Sequence, residues 1–176
     1  MQFLEWLQSW PLSIWVQESE WGFPTLLSFH SIGMAAVVGI LTMLNARILG
    51  FAPNFPISTF SNLMKWAWAG FIINAISGTI LFAADGVRLI ENWAFLTKIG
   101  AIIFGVVTAS VISRDLNFMA YQNASASEAG AIGEPIVSKK VKILAAAQLI
   151  SWVVAIVGGR LIAYVTGNDA LGRVDF

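Results

Sequence analysis

The longest stretch of this sequence without Asp, Glu, Lys or Arg runs from Trp21 to Ala46, and it limits the fold more than any other feature. It comprises 26 residues, among which His30 alone is ionisable. About 20 consecutive apolar residues cross the hydrocarbon core of a bilayer, where only helices and closed barrels satisfy their backbone polar groups. The alternation of apolar and polar residues that is typical of barrel strands is absent. The stretch therefore predicts a transmembrane helix.

Three further apolar windows predict three more helices of the same kind. Charged residues make up only 11% of the chain, against roughly 25% in a soluble domain. We therefore expect an all-α integral membrane protein, a four-transmembrane-helix bundle in a single domain over 21–176. The predicted spans cover about 24–48, 64–84, 92–113 and 141–165, with a long loop over about 114–140.

Basic residues indicate how this bundle is oriented, because Lys and Arg in short loops stay on the cytoplasmic side. Residues 1–46 contain neither Lys nor Arg. Arg47 and Lys65 flank the first loop, and Arg114 and Lys139 flank the third. The first and third loops are therefore predicted to be cytoplasmic, and both termini are predicted to lie on the outer side.

Residues 1–20 form a separate N-terminal unit that is too short to cross the membrane. Ser9 followed by Pro11 predicts a helix cap and the first turn of a second short helix. Tryptophan side chains suit the headgroup layer, so we expect amphipathic interfacial helices. These helices either anchor the chain to the membrane surface, or they cover a site or contact a partner subunit. Through such a contact the chain would join a homo-oligomer or a larger membrane complex. Apolar and aromatic residues at helical spacing are Phe3, Leu7, Trp10 and Ile14, and the tryptophans are Trp6, Trp10, Trp15 and Trp21.

Small residues recur at every fourth position in three of the spans, and this spacing lets helix backbones approach closely. We interpret these stripes as packing surfaces of the bundle, in which Asn74 hydrogen bonds to a neighbouring helix. The stripes are Gly70, Asn74 and Gly78 in the second span, Ala101, Gly105, Ala109 and Ser113 in the third, and Ala147, Ser151, Ala155 and Gly159 in the fourth.

Three residues that can carry positive charge lie within the spans at one predicted depth. His30, Lys98 and Arg160 are each about six residues from an outer end, or roughly 9 Å below the interface at 1.5 Å per residue. Lys98 and Arg160 are close enough to the surface to extend their charges to it. If they stay inside, Asp85 and Glu91 are the nearest acids. Without those acids, the cluster favours an electron-rich guest such as a haem propionate, a quinone carbonyl or a lipid phosphate.

The imidazole of His30 has two interpretations. It is either a hydrogen-bonded packing residue or an axial ligand of haem iron. In the second case Met34, one helical turn away, would border the same pocket. His30, Lys98, Arg160 and Met34 are thus the candidate cofactor-binding residues.

Three of the spans carry short motifs that resemble an uncharacterised family of bacterial membrane proteins. The first span contains Phe29-His30-Ser31-Ile32-Gly33 and Asn45-Ala46-Arg47-Ile48-Leu49-Gly50. The second contains Trp66-Ala67-Trp68-Ala69-Gly70-Phe71 and Ser77-Gly78-Thr79-Ile80-Leu81-Phe82, and Phe95-Leu96-Thr97-Lys98 opens the third. The family is similar in layout to copper-resistance protein D-like proteins and, more remotely, to HemJ-type protoporphyrinogen oxidases.

The resemblance implies that His30 ligates haem b and that Lys98 is its functional companion. It also implies the bacterial inner membrane, so that the outer side, on which the basic residues predict both termini to lie, would be the periplasm. Relatives often have a second histidine late in the third span, where this chain has Val111-Ile112-Ser113-Arg114. Bis-histidine ligation of haem would therefore need a second chain. Haem b, implied by the resemblance, and a quinone, favoured by the cluster of potential cations, are the candidate cofactors.

Composition removes several other classes of function. Cysteine is absent and His30 is the sole histidine, so thiolate sites and polyhistidine zinc sites cannot form within one chain. Ten basic residues balance ten acidic ones, which disfavours nucleic acid as a partner, and no serine has a local base for hydrolysis. A non-catalytic accessory subunit and a small-ion or copper transporter remain as alternatives, although few methionines and no cysteine disfavour a copper(I) path.

Overall fold

A computed structural model describes residues 2–51, 58–128 and 137–171, and for residues 58, 59, 61, 117–128 and 166–171 it describes the backbone alone. All regular elements in these ranges are α-helices, and four of them are long and apolar enough to cross a membrane. The predicted all-α, four-helix membrane architecture is confirmed. The helices are α1 (Gln2–Gln8), α2 (Pro11–Glu18), α3 (Gly22–Leu49), α4 (Ser58–Glu91), α5 (Trp93–Glu128) and α6 (Lys139–Leu171).

The N-terminal helices, α1 and α2, form the two short elements that the sequence predicts. Pro11 occupies the first turn of α2, where its missing N–H costs nothing. The residue that caps α2 is Trp10 rather than the predicted Ser9. Ser9 instead closes α1, because its hydroxyl donates to the Trp6 carbonyl at 2.7 Å.

A glycine lies at each end of α3, and a different structural constraint requires glycine at each of the two positions. At Gly22 a Cβ would lie 2.6 Å from the Trp15 carbonyl oxygen, so the chain turns tightly from α2 into the membrane there. At the other end Gly50 adopts a φ of 96°, the left-handed conformation that glycine adopts most readily. The backbone N–H of Gly50 donates to the Arg47 carbonyl at 3.1 Å and closes the helix.

Helix α4 is interrupted at Asp85, immediately after the predicted end of the second span. The backbone there has φ −140° and ψ 28°, and a short helical segment continues to Glu91. The break is accompanied by side-chain bonds to the Ala84 carbonyl, to which the Gln17 side-chain amide donates at 2.7 Å and that of Gln8 at 3.4 Å. The N-terminal helices are thereby attached to the end of α4.

Helix α5 begins where the third span was predicted to begin and continues past its predicted end. The Asn92 side-chain oxygen accepts the Ala94 N–H at 2.9 Å and caps the helix. The helix then extends to Glu128, into the segment that was predicted to be a loop. No proline or glycine occurs between Gly105 and Gly130, so nothing in the sequence ends the helix earlier. The part of the predicted loop at 129–136 lies outside the described residues.

The four long helices pack as two hairpins, α3 with α4 and α5 with α6, while α4 and α5 touch each other little. In the first hairpin a Cβ at Gly33 would lie 2.7 Å from the Gly70 carbonyl oxygen. In the second, a Cβ at Gly105 would lie 2.9 Å from the Trp152 ring. The predicted role of small residues in close packing is confirmed at these positions.

An amide cluster joins the two hairpins. The Asn45 side-chain amide donates to the Gln148 side-chain oxygen at 2.8 Å, and the Gln148 amide donates to the Gly105 carbonyl at 2.7 Å. Both side chains are fully buried. A polar side chain within an apolar span needs such a partner, because no water is present to provide one.

Candidate functional site

The imidazole of His30 is held by one hydroxyl and one backbone carbonyl group of α4. Its Nδ1 lies 3.0 Å from the Asn74 backbone oxygen and 3.2 Å from the Ser77 hydroxyl. The Asn74 side-chain amide in turn donates to the His30 backbone carbonyl at 2.7 Å. The predicted hydrogen bond of Asn74 to a neighbouring helix is confirmed, and it fixes the backbone from which the imidazole projects.

These contacts define which ring nitrogen of His30 carries the proton. The Asn74 carbonyl can only accept, so Nδ1 is the donor of the 3.0 Å bond. In the neutral ring the lone pair then lies on Nε2. The basic ring nitrogen of His30, Nε2, therefore faces away from α4.

Gly78 provides the space that the ring occupies. A Cβ at this position would lie 3.0 Å from His30 Cε1 and 3.3 Å from Nδ1. The spacing of small residues predicts that Gly78 lies at a helix contact, and the side chain that packs against it is His30 itself.

Lys98 of α5 reaches the lone pair of His30. Its Nζ lies 3.4 Å from His30 Nε2 and donates to it. The lysine stem runs along α6, since a Cβ at Gly158 would lie 3.3 Å from Lys98 Cβ and one at Gly159 would lie 3.6 Å from Nζ. We call His30 and Lys98 the polar pair. It joins the first hairpin to the second.

No acidic side chain among the described residues hydrogen bonds or forms an ion pair with the polar pair. Asp85, the nearest candidate in the sequence, pairs instead with Arg88 one turn along the chain. Glu91 is exposed. An ammonium group has three N–H donors, and the contacts of Lys98 with described residues use only one of them.

The other two predicted site residues lie apart from the polar pair. Arg160 is exposed on α6. The two residues before it, Gly158 and Gly159, face Lys98. Because each residue of a helix turns by about 100° from the one before, Arg160 is turned away from the side of α6 that faces Lys98. Met34 is partly buried one turn beyond His30, and it is not among the groups that hold the imidazole.

Aromatic rings close the α4–α5 gap next to the polar pair. Phe82 and Phe95 stack with ring centroids 5.6 Å apart, about one turn beyond Gly78 and Lys98 respectively. Helix α1 lies against the same place, because a Cβ at Gly86 would lie 3.3 Å from Leu4 and 3.4 Å from Phe82. The end of the bundle that carries the N-terminal helices is therefore covered by apolar side chains.

The arrangement does not fit haem iron as it stands. Iron would have to bind Nε2, the nitrogen with the lone pair, at a distance on the order of 2 Å. That direction is taken by Lys98 Nζ at 3.4 Å. Lys98 would have to withdraw before His30 could act as an axial ligand, whereas an oxygen acceptor could bind the remaining N–H groups of Lys98 with the polar pair intact.

Two groups of functional interest were not identified from the sequence. Ser77 was noted only as part of a motif, although its hydroxyl contacts the imidazole at 3.2 Å. Asn45 was likewise noted only as part of a motif and Gln148 was not noted, although an amide side chain within an apolar span is itself a sequence signal for a buried contact.

Comparison of the chain with protein-family models, curated proteins and solved structures found no match. The resemblance to copper-resistance protein D-like and HemJ-type proteins thus stays a prediction.

Proposed function

We propose that the protein binds the carbonyl headgroup of a lipid-soluble quinone at the polar pair. The observation that carries the proposal is the state of Lys98, a partly buried amine whose single hydrogen bond among the described residues goes to a neutral imidazole. A basic side chain inside a span is costly to insert and usually has a partner or a function. A carbonyl oxygen satisfies it without bringing a second charge into the membrane.

The surroundings of the polar pair favour a ligand that arrives from the lipid. The stacked rings of Phe82 and Phe95, together with α1, cover the nearest end of the bundle. A water-soluble anion would have to pass these groups, whereas a lipid-soluble molecule can approach between α4 and α5, which touch little.

Each residue of the site has a defined part in binding. Lys98 Nζ donates to the carbonyl oxygen, His30 Nε2 accepts from Lys98 and orients it, and Asn74 with Ser77 keeps the His30 lone pair on Nε2. A bound quinone supplies two-electron, two-proton redox chemistry. His30 Nε2 and Lys98 Nζ are the base and the proton carrier nearest to it.

The position in the cell is part of the same proposal. With the basic loops on the cytoplasmic side, both termini and the N-terminal helices lie on the periplasmic side of a bacterial inner membrane. The polar pair then lies in the periplasmic half. The exposed tryptophans Trp6 of α1, Trp10 between the two helices and Trp15 of α2 rest in the headgroup layer. There they are also available to a partner subunit or a second copy of the chain.

The test is quinone binding to purified protein in lipid nanodiscs, with the Lys98→Met variant compared with wild type. Methionine keeps most of the length of the lysine stem and removes the donors, so we expect a loss of affinity of about 10-fold or more. Arg160→Met is the matched control, because it removes an exposed cation from the same end of the bundle. It should bind as wild type does.

Two outcomes would overturn the proposal. Equal affinity of wild type and Lys98→Met would show that the polar pair does not hold the headgroup. A haem absorption band in wild-type protein that disappears in His30→Ala would show that His30 is an iron ligand and that the quinone assignment is wrong.

A further inference from the structure

The exposed charges of the bundle are divided unequally between its two ends. At the end opposite the N-terminal helices, the described residues include five exposed cations, each within three residues of the end of a membrane-spanning segment. Asp115 is the one acid at that end whose side chain is described. The five cations are Lys65, Arg114, Lys139, Lys140 and Lys142. This end therefore attracts the anionic groups of the adjacent headgroup layer.

An ion pair at the contact between α5 and α6 brings three of these cations together. Lys140 Nζ of α6 lies 3.9 Å from Asp115 Oδ2 of α5, so both side chains lie at the seam of the two helices. On each helix the preceding residue, Arg114 or Lys139, is turned by about 100° from the seam, and both residues are exposed. We call Arg114, Lys139 and Lys140 the basic patch.

The protein balances the charge of the basic patch only in part. Among the described residues, Asp115 is the acid that pairs with the patch, and it pairs with Lys140. Three positive charges and one negative charge leave the seam with a net charge of about +2 at neutral pH. Arg114 and Lys139 are thus available to an anion from outside the chain.

Beyond the basic patch, both helices present apolar side chains to the lipid. On α5, Val107 lies two turns from Arg114 on the same side of the helix and is 56% exposed. On α6, Ile143 lies one turn from Lys139 and is 59% exposed. Cations directly above exposed apolar side chains match an amphiphile with an anionic headgroup and acyl chains. An acidic soluble protein would contact the cations alone.

We propose that the basic patch binds the headgroup of an anionic phospholipid, whose acyl chains lie along the exposed face of α5 and α6. The guanidinium of Arg114 donates two N–H groups to the phosphate, and the ammonium groups of Lys139 and Lys140 add positive charge around it. The site is separate from the polar pair, because Arg114 lies sixteen residues beyond Lys98, or about 24 Å along α5. It does not depend on quinone binding.

The experiment is a lipid titration of the purified protein in detergent micelles, followed by native mass spectrometry. The probes are phosphatidylglycerol and phosphatidylcholine with the same acyl chains, so that they differ in headgroup charge alone. The first variant combines Arg114→Gln with Lys140→Gln and keeps Lys139 as a basic residue that orients the bundle. The matched control combines Arg88→Gln with Arg160→Gln, which removes two exposed cations from the opposite end.

We expect wild type to bind phosphatidylglycerol at least about 10-fold more tightly than phosphatidylcholine. The Arg114→Gln, Lys140→Gln variant should lose about 10-fold or more in affinity for phosphatidylglycerol, since each cation near the headgroup contributes roughly fivefold. The control should stay within about 2-fold of wild type. Asp115→Asn removes the acid that competes with the phosphate for Lys140 and should raise the affinity several-fold, which a purely structural role of this ion pair would not do.

Three results would overturn the proposal. Equal affinity of wild type for the two lipids would show that headgroup charge is not recognised. Unchanged affinity for phosphatidylglycerol in the Arg114→Gln, Lys140→Gln variant would show that the lipid binds elsewhere, as would an equal loss in the control. Weaker binding by Asp115→Asn would show that Asp115 supports the lipid site rather than competing with the phosphate.

Discussion

Gly78 and His30 are in van der Waals contact across the α3–α4 hairpin, and a methyl group on Gly78 would reach within 3.0 Å of the imidazole. The position of the imidazole ring therefore depends on the absence of a side chain at Gly78. The imidazole can keep its bond to the Asn74 carbonyl because the opposing helix has no side chain at this position.

Gly78→Ala should consequently displace the imidazole. The ring must shift by a few tenths of an ångström, which lengthens its bonds to Asn74 and Lys98, and we expect quinone affinity to fall several-fold. Gly39→Ala is the control, since a Cβ there meets no atom within 4 Å. That variant should bind normally and, in a helix, be stabilised by about 0.5–1 kcal/mol. Equal binding by both variants would show that the ring tolerates the methyl group.

Removing the Asn74 side chain should affect stability more than binding. Asn74→Leu loses the 2.7 Å bond to the His30 carbonyl but keeps the backbone oxygen that holds Nδ1. Hydrogen bonds between membrane helices contribute on average about 0.6 kcal/mol and at most about 1.7 kcal/mol. We expect a loss of unfolding free energy in that range, measured by reversible unfolding in mixed micelles, with quinone still bound in nanodiscs. A complete loss of binding would assign the amide a direct contact with the ligand.

The amide cluster should show coupling between its members. Asn45→Leu and Gln148→Leu each break the 2.8 Å bond, and either one leaves a buried partner unsatisfied. In a double-mutant cycle the two losses should therefore sum to more than the loss in the double variant, by about 0.6–1.7 kcal/mol. Additive losses would mean that the two amides do not stabilise each other. Quinone binding should stay unchanged in all three variants, because the cluster does not contact the polar pair.

The attachment of the N-terminal helices should depend on Gln17. Gln17→Leu removes the 2.7 Å bond to the Ala84 carbonyl, a contribution of about 0.5–1.5 kcal/mol. We expect faster hydrogen–deuterium exchange in residues 2–18 and little change in α5 and α6. Gln2→Leu, at an exposed position of α1, is the comparison. If exchange is the same in both variants, the Gln17 bond does not hold these helices, and the packing of Val16 and Ser13 together with the Gln8 bond does.

The sequence predicted features that depend on one helix at a time. Uncharged length predicts the spans, and Pro11 predicts the start of α2, since both signals are local. The sequence also predicts His30 and Lys98 at the same depth in their spans, and in the structure the two side chains are in contact. Arg160 shares that level by the same reasoning but is exposed, because depth does not determine which side of a helix faces the bundle.

The contacts between different helices could not be predicted from the sequence, because predicting them requires knowing which helices are neighbours. The Asn45–Gln148 bond joins residues 103 positions apart, and no periodicity within one span indicates it. The role of Gly78 is similar, because small-residue spacing predicts close approach without naming the side chain that approaches. Helix α5 is longer than the predicted span for a different reason, because the small polar residues after position 114 predict a loop where the helix continues to Glu128.

The division into two hairpins determines the order in which this bundle can be completed. Each hairpin closes on its own glycine contact, Gly33 with Gly70 and Gly105 with Trp152. The Asn45–Gln148 bond and the polar pair cannot form until α5 and α6 have also entered the membrane. During synthesis, His30 therefore enters the bilayer before Lys98, and Asn45 enters before Gln148. The side-chain amide of Asn45 gains its hydrogen bond only when α6, the last helix, is inserted.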